Sequence, residues 1–156
     1  MTADRSNFEN SRMQYSFLGQ HDYSSIEDHT HETKTKKHKY GEYIYTGQVD
    51  EQTGEPHGVG IKIWWDGTIR EGYWEYGLQN GYGRVIYWNG EYYIGDFKDD
   101  QYHGHGTYYY PSRKKYVGEW KDNLRHGNGV EFNADRSIGK SGKWKIQMSV
   151  FNTTCC

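Results

Sequence analysis

Tyr93-Ile94-Gly95-Asp96-Phe97-Lys98-Asp99-Asp100-Gln101-Tyr102-His103-Gly104-His105-Gly106 can be laid without a gap over Tyr116-Val117-Gly118-Glu119-Trp120-Lys121-Asp122-Asn123-Leu124-Arg125-His126-Gly127-Asn128-Gly129. Arg70-Glu71-Gly72-Tyr73-Trp74 through Asn80-Gly81-Tyr82-Gly83 fits the same frame. So does Tyr45-Thr46-Gly47-Gln48-Val49 through His57-Gly58-Val59-Gly60, with two extra residues. The four Gly-x-Gly pairs start at positions 58, 81, 104 and 127, an interval of 23 residues each time. A second series (Gly47, Gly72, Gly95, Gly118, Gly142) keeps near-constant phase with the first. A fifth unit opens at Gly142-Lys143-Trp144 and is not completed. An interval held over this many units marks a repeat protein. Such a chain presents a long surface rather than a catalytic pocket.

Each unit carries the code of a β-hairpin. Around Tyr-x-Gly-x-Trp large and polar residues alternate, the period of a half-buried strand. A loop follows, ending at the Gly-x-Gly pair, and a second alternating strand (Ile61 and Ile63; Val130 and Phe132) comes next. Asp66-Gly67 and Asn89-Gly90 then predict type I′ turns, because both residue types accept positive φ. Ser112-Arg113-Lys114-Lys115 lacks the glycine, so a longer or looser connection is expected there. Glycine inside a strand costs roughly 0.5–1 kcal/mol, which packing must offset. Trp74, Phe97, Trp120 and Trp144, two residues after the glycines, are the expected occupants of the slots left by the missing Cβ atoms. The glycines of the His-Gly-x-Gly sites read instead as turn punctuation. The predicted architecture is all-β: a single-layer antiparallel sheet of successive hairpins, nine or ten strands and roughly 45 Å long.

Composition supports this. Of 156 residues only 33% are hydrophobic while 17% are aromatic, sixteen of them Tyr and six Trp, so aromatic rings must do most of the burying. Twenty Gly against two Pro suit many tight turns. A net charge of −2 provides no basic field for nucleic acid. There is no apolar run of membrane-spanning length and no basic-then-apolar leader pattern. Cys155 and Cys156 alone cannot form a disulfide framework. A cytoplasmic or cytoskeletal location is therefore expected. Residues 1–39 are polar, their apolar residues keep no period, and a disordered tail ending in Lys34, Lys36, Lys37 and Lys39 is expected. The repeat domain is expected over 40–145 and a short tail over 146–156.

The pattern Tyr-x-Gly-x-Trp/Phe-x-x-Gly/Asp-x-x-His/Asn-Gly-x-Gly resembles the MORN repeat (membrane occupation and recognition nexus), in four full units and one partial unit over about residues 43–145. The expanded first unit, Gly41-Glu42-Tyr43 through Thr53-Gly54-Glu55-Pro56-His57-Gly58, is similar to the opening repeat of axonemal radial spoke head proteins of that family. Those proteins usually carry more repeats and a longer tail. The resemblance implies a rod-like scaffold, often dimeric, in cilia, basal structures and membrane–cytoskeleton contacts.

Catalytic signatures are missing from the sequence: it has no nucleophile elbow, phosphate loop or zinc-protease motif. The Gly-x-Gly pairs lack the third glycine and following helix of a dinucleotide site. His57, His103 and His126 recur one unit apart, roughly 10 Å along a sheet, too far to share a metal. No enzyme activity, cofactor or metal is predicted. Trp64, Trp65, Tyr87, Trp88, Tyr108 and Tyr110 crowd the second-strand ends and are the candidate partner-binding residues, with Arg113, Lys114 and Lys115 beside them. Aromatic surface favours protein partners, cytoskeletal or axonemal. The basic residues leave acidic phospholipid as the alternative.

Overall fold

The computed structural model of the protein describes residues 33–37 and 43–145. They form ten strands, β1 Thr33–Lys37, β2 Tyr43–Val49, β3 Pro56–Trp64, β4 Ile69–Glu75, β5 Leu78–Ile86, β6 Tyr92–Lys98, β7 Gln101–Tyr109, β8 Lys115–Lys121, β9 Leu124–Phe132 and β10 Ile138–Trp144. They lie in one sheet in chain order, every neighbour antiparallel. Thr33–Lys37, expected within the disordered tail, instead pairs along β2. Strand pairing needs only backbone groups, and the outer edge of β2 supplies them. The other residues assigned to the two tails, with Lys39, Cys155 and Cys156, lie outside the described residues.

Register explains the glycines. Gly47 pairs with Gly60, Gly60 with Gly72, and so on through Gly83, Gly95, Gly106, Gly118 and Gly129 to Gly142, a straight row across the sheet. On one face, called here the ring face, tyrosines lie over this row. A Cβ on Gly60, Gly106 or Gly129 would run into the phenol of Tyr45, Tyr93 or Tyr116 respectively. The occupant is thus the tyrosine two residues before the glycine, not the Trp or Phe two residues after it. Trp74 meets Tyr45 edge-on at 5.8 Å, Phe97 and Trp120 meet Tyr93 at 5.2 and 5.4 Å, and Trp144 meets Tyr116 at 5.2 Å. Edge-to-face contacts of this kind add to the area buried by each ring. Trp74 and Trp120 also donate their indole N–H to the carbonyls of Gly60 and Gly106, at 2.9 and 3.2 Å.

The second unit departs from the others because Arg70 stands where they have Tyr. There Gln79 reaches into the slot, donating to the Glu71 carbonyl at 3.0 Å, and the core divides into two clusters on either side. One holds Tyr45, Val49 and Trp74. The other holds Val85, Tyr93, Phe97, Tyr102, Tyr116 and Trp120.

The His-Gly-x-Gly sites are not loops; they lie inside β3, β5, β7 and β9 as bulges. Gly58, Gly81, Gly104 and Gly127 have φ of 85°, 75°, 57° and 55°, which lets the chain step out of register. Across the bulge a side chain caps the freed amide. Gln48 accepts from Val59 N–H at 2.6 Å, Asp96 from His105 N–H at 2.9 Å, and Glu119 from Asn128 N–H at 2.8 Å. That bond, with the Asn128 side chain, holds the Glu119 carboxyl below its ordinary range. Tyr45, Tyr93 and Tyr116 close the other side by donating to the carbonyls of Gln48, Asp96 and Glu119 at 2.6, 3.0 and 3.2 Å.

The turns are arranged opposite to expectation. Positive φ at both corner residues, the type I′ signature, occurs at Tyr76-Gly77, Asp99-Asp100 and Asp122-Asn123. Asp66-Gly67 and Asn89-Gly90 belong to three-residue loops in which only the glycine is left-handed, at φ 93° and 86°. Each loop is closed twice, by Gly67 N–H to Trp64 O and Trp64 N–H to Thr68 O, or the Gly90/Tyr87/Glu91 equivalents. The connection through Ser112 is no longer or looser: Tyr110, Arg113 and Lys114 make the same pair of bonds, with Arg113 at φ 63°. The Asn133–Ser137 loop repeats the arrangement with Arg136 at φ 70°.

Each I′ turn is latched to its predecessor. Gly77 N–H bonds Pro56 O at 2.9 Å, Asp100 N–H bonds Gln79 O at 3.0 Å, and Asn123 N–H bonds Tyr102 O at 3.1 Å. The Asp100 and Asn123 side chains accept from Gln79 and Tyr102 N–H at 2.9 and 2.8 Å.

Two substitutions test this account. Gly95→Ala places a Cβ against the Gly106 backbone and the Tyr93 phenol, and should lower unfolding free energy by about 3 kcal/mol in urea titrations. Arg113→Gly relieves a left-handed residue with a side chain and should raise it by about 0.5–1 kcal/mol. An unchanged midpoint in either would contradict the role given to that residue.

Candidate functional site

Side chains alternate between two faces, and the two faces differ. On the ring face most aromatic groups are already engaged. Tyr87 and Tyr102 share a hydrogen bond between their hydroxyls, Tyr108 donates to Glu91 at 2.9 Å, and Tyr110 accepts from Arg125 at 2.6 Å. Trp64 packs against Tyr43 at 5.8 Å. Burial raises the Tyr45, Tyr93, Tyr102 and Tyr108 phenols well above their ordinary range. Four of the residues expected to bind partners, Trp64, Tyr87, Tyr108 and Tyr110, therefore also serve as packing.

Cations are built into the same face. Lys62 is 5% exposed, with its ammonium 4.8, 5.7 and 4.2 Å from the ring centres of Tyr43, Trp64 and Trp74, and donates to Gly77 O at 2.9 Å. Arg125 lies over Tyr116 and Trp144 at 4.6 and 4.8 Å and pairs with Glu131 at 2.7 Å. Arg70 reaches Asp100 at 3.2 Å. Cation–π attraction and hydrogen bonds offset part of the desolvation these charges suffer.

The opposite face carries a groove. Its floor is the backbone of Gly95, Gly106 and Gly118, and its walls are Tyr82, Ile94, His105, Thr107, Tyr109 and Val117, around a volume of about 400 Å³. Tyr82 is 43% and Val117 37% exposed. The groove lies where positions whose side chains would face the rings leave bare backbone between two rows of larger residues. None of these wall residues is among the candidates read from sequence; the signal was the second period-two set, one residue out of phase with the tyrosines.

A third feature runs along the three-residue loops, all at one end of the strands. Trp65 and Trp88 are 55% and 46% exposed at adjacent tips. Arg113 and Lys114 are exposed on the next tip, and Arg136 on the one after it. Lys115 does not join this rim. It lies on the groove face, 5.0 Å from the Phe132 ring centre and 5.9 Å from that of Tyr109.

His57, His103 and His126 sit at the bulges, the Nδ1 of each buried; that of His103 is 3.6 Å from Asp122. Among the described residues no group of three or more His, Cys, Asp or Glu is arranged to hold a metal ion, and no helix is long and apolar enough to cross a membrane. The two exposed features of this surface are an apolar groove and an aromatic, basic rim.

Comparison with protein families gives one match: a model described as MORN repeat covers residues 54–69, 71–91, 93–114 and 116–137. Comparison with curated proteins gives none.

Lys62 makes the ring face pH-sensitive. Burial, the largest influence, pushes its ammonium down to about 8. An unfolded lysine titrates higher, so between those values the unfolded chain binds more protons and stability rises with pH. The gain should appear from about pH 8 upward and end near pH 10, where the unfolded tyrosines start to ionise while the buried ones cannot. Lys62→Met should raise stability at pH 7 by about 2 kcal/mol and remove the alkaline rise. Denaturant titrations across this range check both; a Lys62→Met profile parallel to that of the parent contradicts the assignment.

Proposed function

Since the chain belongs to the MORN repeat family, a family of binding repeats and not of enzymes, we propose that it is a non-enzymatic scaffold that holds protein partners in the cilium, axoneme or cytoskeleton. The observation that carries this reading is the groove of Tyr82, Ile94, Thr107, Tyr109 and Val117 on a rigid sheet. Its floor exposes backbone, its walls expose apolar side chains, and nothing in it is placed for bond-breaking chemistry. Apolar walls on a preformed surface favour protein contact, because little ordering entropy remains to oppose binding. The ciliary assignment rests on the resemblance of the 41–58 segment to the opening repeat of radial spoke head proteins.

The test is co-sedimentation of the tagged chain with axonemes and with the detergent-insoluble cytoskeleton of ciliated cells. The parent should be retained, and Val117→Glu combined with Tyr82→Ala should reduce retention about tenfold. Absence of the parent from both fractions, or equal retention of the variant, rejects the reading.

A second reading, peripheral attachment to acidic phospholipid, is favoured by the rim alone. Trp65 and Trp88 at adjacent tips, followed by Arg113, Lys114 and Arg136, combine interfacial aromatics with cations. Flotation with phosphoinositide vesicles separates the two: salt-sensitive binding lost on Arg113→Ala with Lys114→Ala supports lipid, whereas loss only on the groove substitutions does not.

A further inference from the structure

We propose that the outer edge of β10 takes an extended acidic segment of another protein as a further strand of the sheet. Among the described strands β10 pairs only with β9, so every second residue along it turns its backbone N–H and C=O outward. This edge is separate from the groove, whose walls stand on β5 to β8.

β10 has the form of a unit's first strand without the second. Lys140-Ser141-Gly142-Lys143-Trp144 aligns with Arg70-Glu71-Gly72-Tyr73-Trp74, each with a cation where the other units have Tyr. Gly142 pairs with Gly129 and has φ 134°, much as Gly72 pairs with Gly60 and has φ 149°. A Cβ on Gly47, Gly72, Gly95 or Gly118 would run into the glycine of the following strand. One on Gly142 would meet nothing within 4 Å. Trp74 and Trp120 donate their indole N–H to a glycine carbonyl, but the buried Trp144 indole N–H has no hydrogen-bond partner among the described residues. The glycine row thus reaches the edge of the sheet with one side of Gly142 open.

Charge decides which strand fits. Arg136, Lys140, Lys143 and Lys145 are exposed along or beside this edge. Among the described residues none of them pairs with a carboxylate, and Lys140 has only the Trp144 ring, 4.4 Å from its ammonium. The carboxylates nearby are engaged, Glu131 by Arg125, Glu119 by Asn128 and Asp135 by Ser137. Lys143 adds a positional constraint. It stands where Gln48, Asp96 and Glu119 accept an amide of the next strand. A lysine only donates, so the strand beside it must present an acceptor, and a carboxylate is the strongest. A second copy of this chain answers poorly, since two apposed β10 edges would bring four cations against four. The Thr33–Lys37 edge of a second copy is basic as well. Edge lysines deter apolar and basic strands, which makes this edge selective instead of closing it.

The test uses the full chain and a labelled peptide, Thr-Glu-Tyr-Glu-Gly-Thr-Glu-Thr. Paired antiparallel with its glycine opposite Gly142, it sets glutamates opposite Lys140, Lys143 and Lys145. Fluorescence anisotropy should show saturable binding with Kd below about 1 mM. Lys140→Glu with Lys143→Glu should weaken it about tenfold, while Val117→Glu with Tyr82→Ala leaves it unchanged. Two peptides N-methylated on alternate residues keep the charge and leave the protein untouched. One of them should bind about tenfold more weakly than the other, because only one set of amides faces β10. Amide exchange over residues 138–145 should slow in the complex. Absence of binding, equal binding of the two methylated peptides, or protection that omits β10 overturns the proposal. So does binding lost on the groove substitutions but not on the lysine ones, or a dimer in sedimentation that the lysine substitutions dissolve.

Discussion

A tyrosine ring lying flat on a pair of glycines is the contact on which this protein depends. Without Cβ atoms at Gly47 and Gly60, Gly95 and Gly106, or Gly118 and Gly129, the phenols of Tyr45, Tyr93 and Tyr116 can reach the sheet backbone. Each then ends on a carbonyl three residues ahead, at the place where the register shifts. Ring, glycine and bulge are mutually dependent. The ring needs the bare backbone and the bulge needs a left-handed glycine, while the hydroxyl satisfies what the bulge leaves over. The single layer is held together because every unit but the second repeats this arrangement, with a Trp or Phe edge-on to each tyrosine.

The same arrangement decides where function can lie. It occupies the ring face, draws Lys62, Arg70 and Arg125 into it, and leaves the groove face and the loop rim as the surfaces on which the proposed contacts would be made. The glycine row seats the rings on one face, and the backbone of Gly95, Gly106 and Gly118 is the floor of the groove on the other.

Much of this was legible in the residues, and the failures have physical causes. The 23-residue interval and period-two alternation were enough for an open antiparallel sheet of hairpins, since both follow from backbone geometry alone. The choice between Tyr93 and Phe97 as the ring over the glycine was not. Positions two before and two after Gly95 share a face and are equivalent in a flat strand; only the bulge at Gly104 breaks the tie. The turns failed similarly, because Asp-Gly and Asp-Asn pairs satisfy several corner types, and the type is set by whether two or three residues must span the gap. Arg113 carries no sign of the left-handed conformation that it adopts. The groove was missed in part because attention to the large aromatics hid the plainer series Ile94, Thr107, Val117. Among the candidates named in advance, Trp65, Trp88, Arg113 and Lys114 are exposed along one rim, whereas Tyr87 and Tyr108 are tied into hydrogen bonds.

The latches between successive I′ turns have a mechanical corollary. Strands in chain order, with β1 and β10 at opposite edges, mean that tension along the chain peels one strand at a time instead of shearing many bonds together. Each latch ties a turn to a strand residue 21 positions earlier, Asp100 to Gln79 and Asn123 to Tyr102, so peeling from the β10 side must break them in sequence. Every released unit adds roughly 75 Å of extended chain. Under load the sheet would lengthen by equal increments instead of failing at once, which turns a repeat interval into a unit of extension.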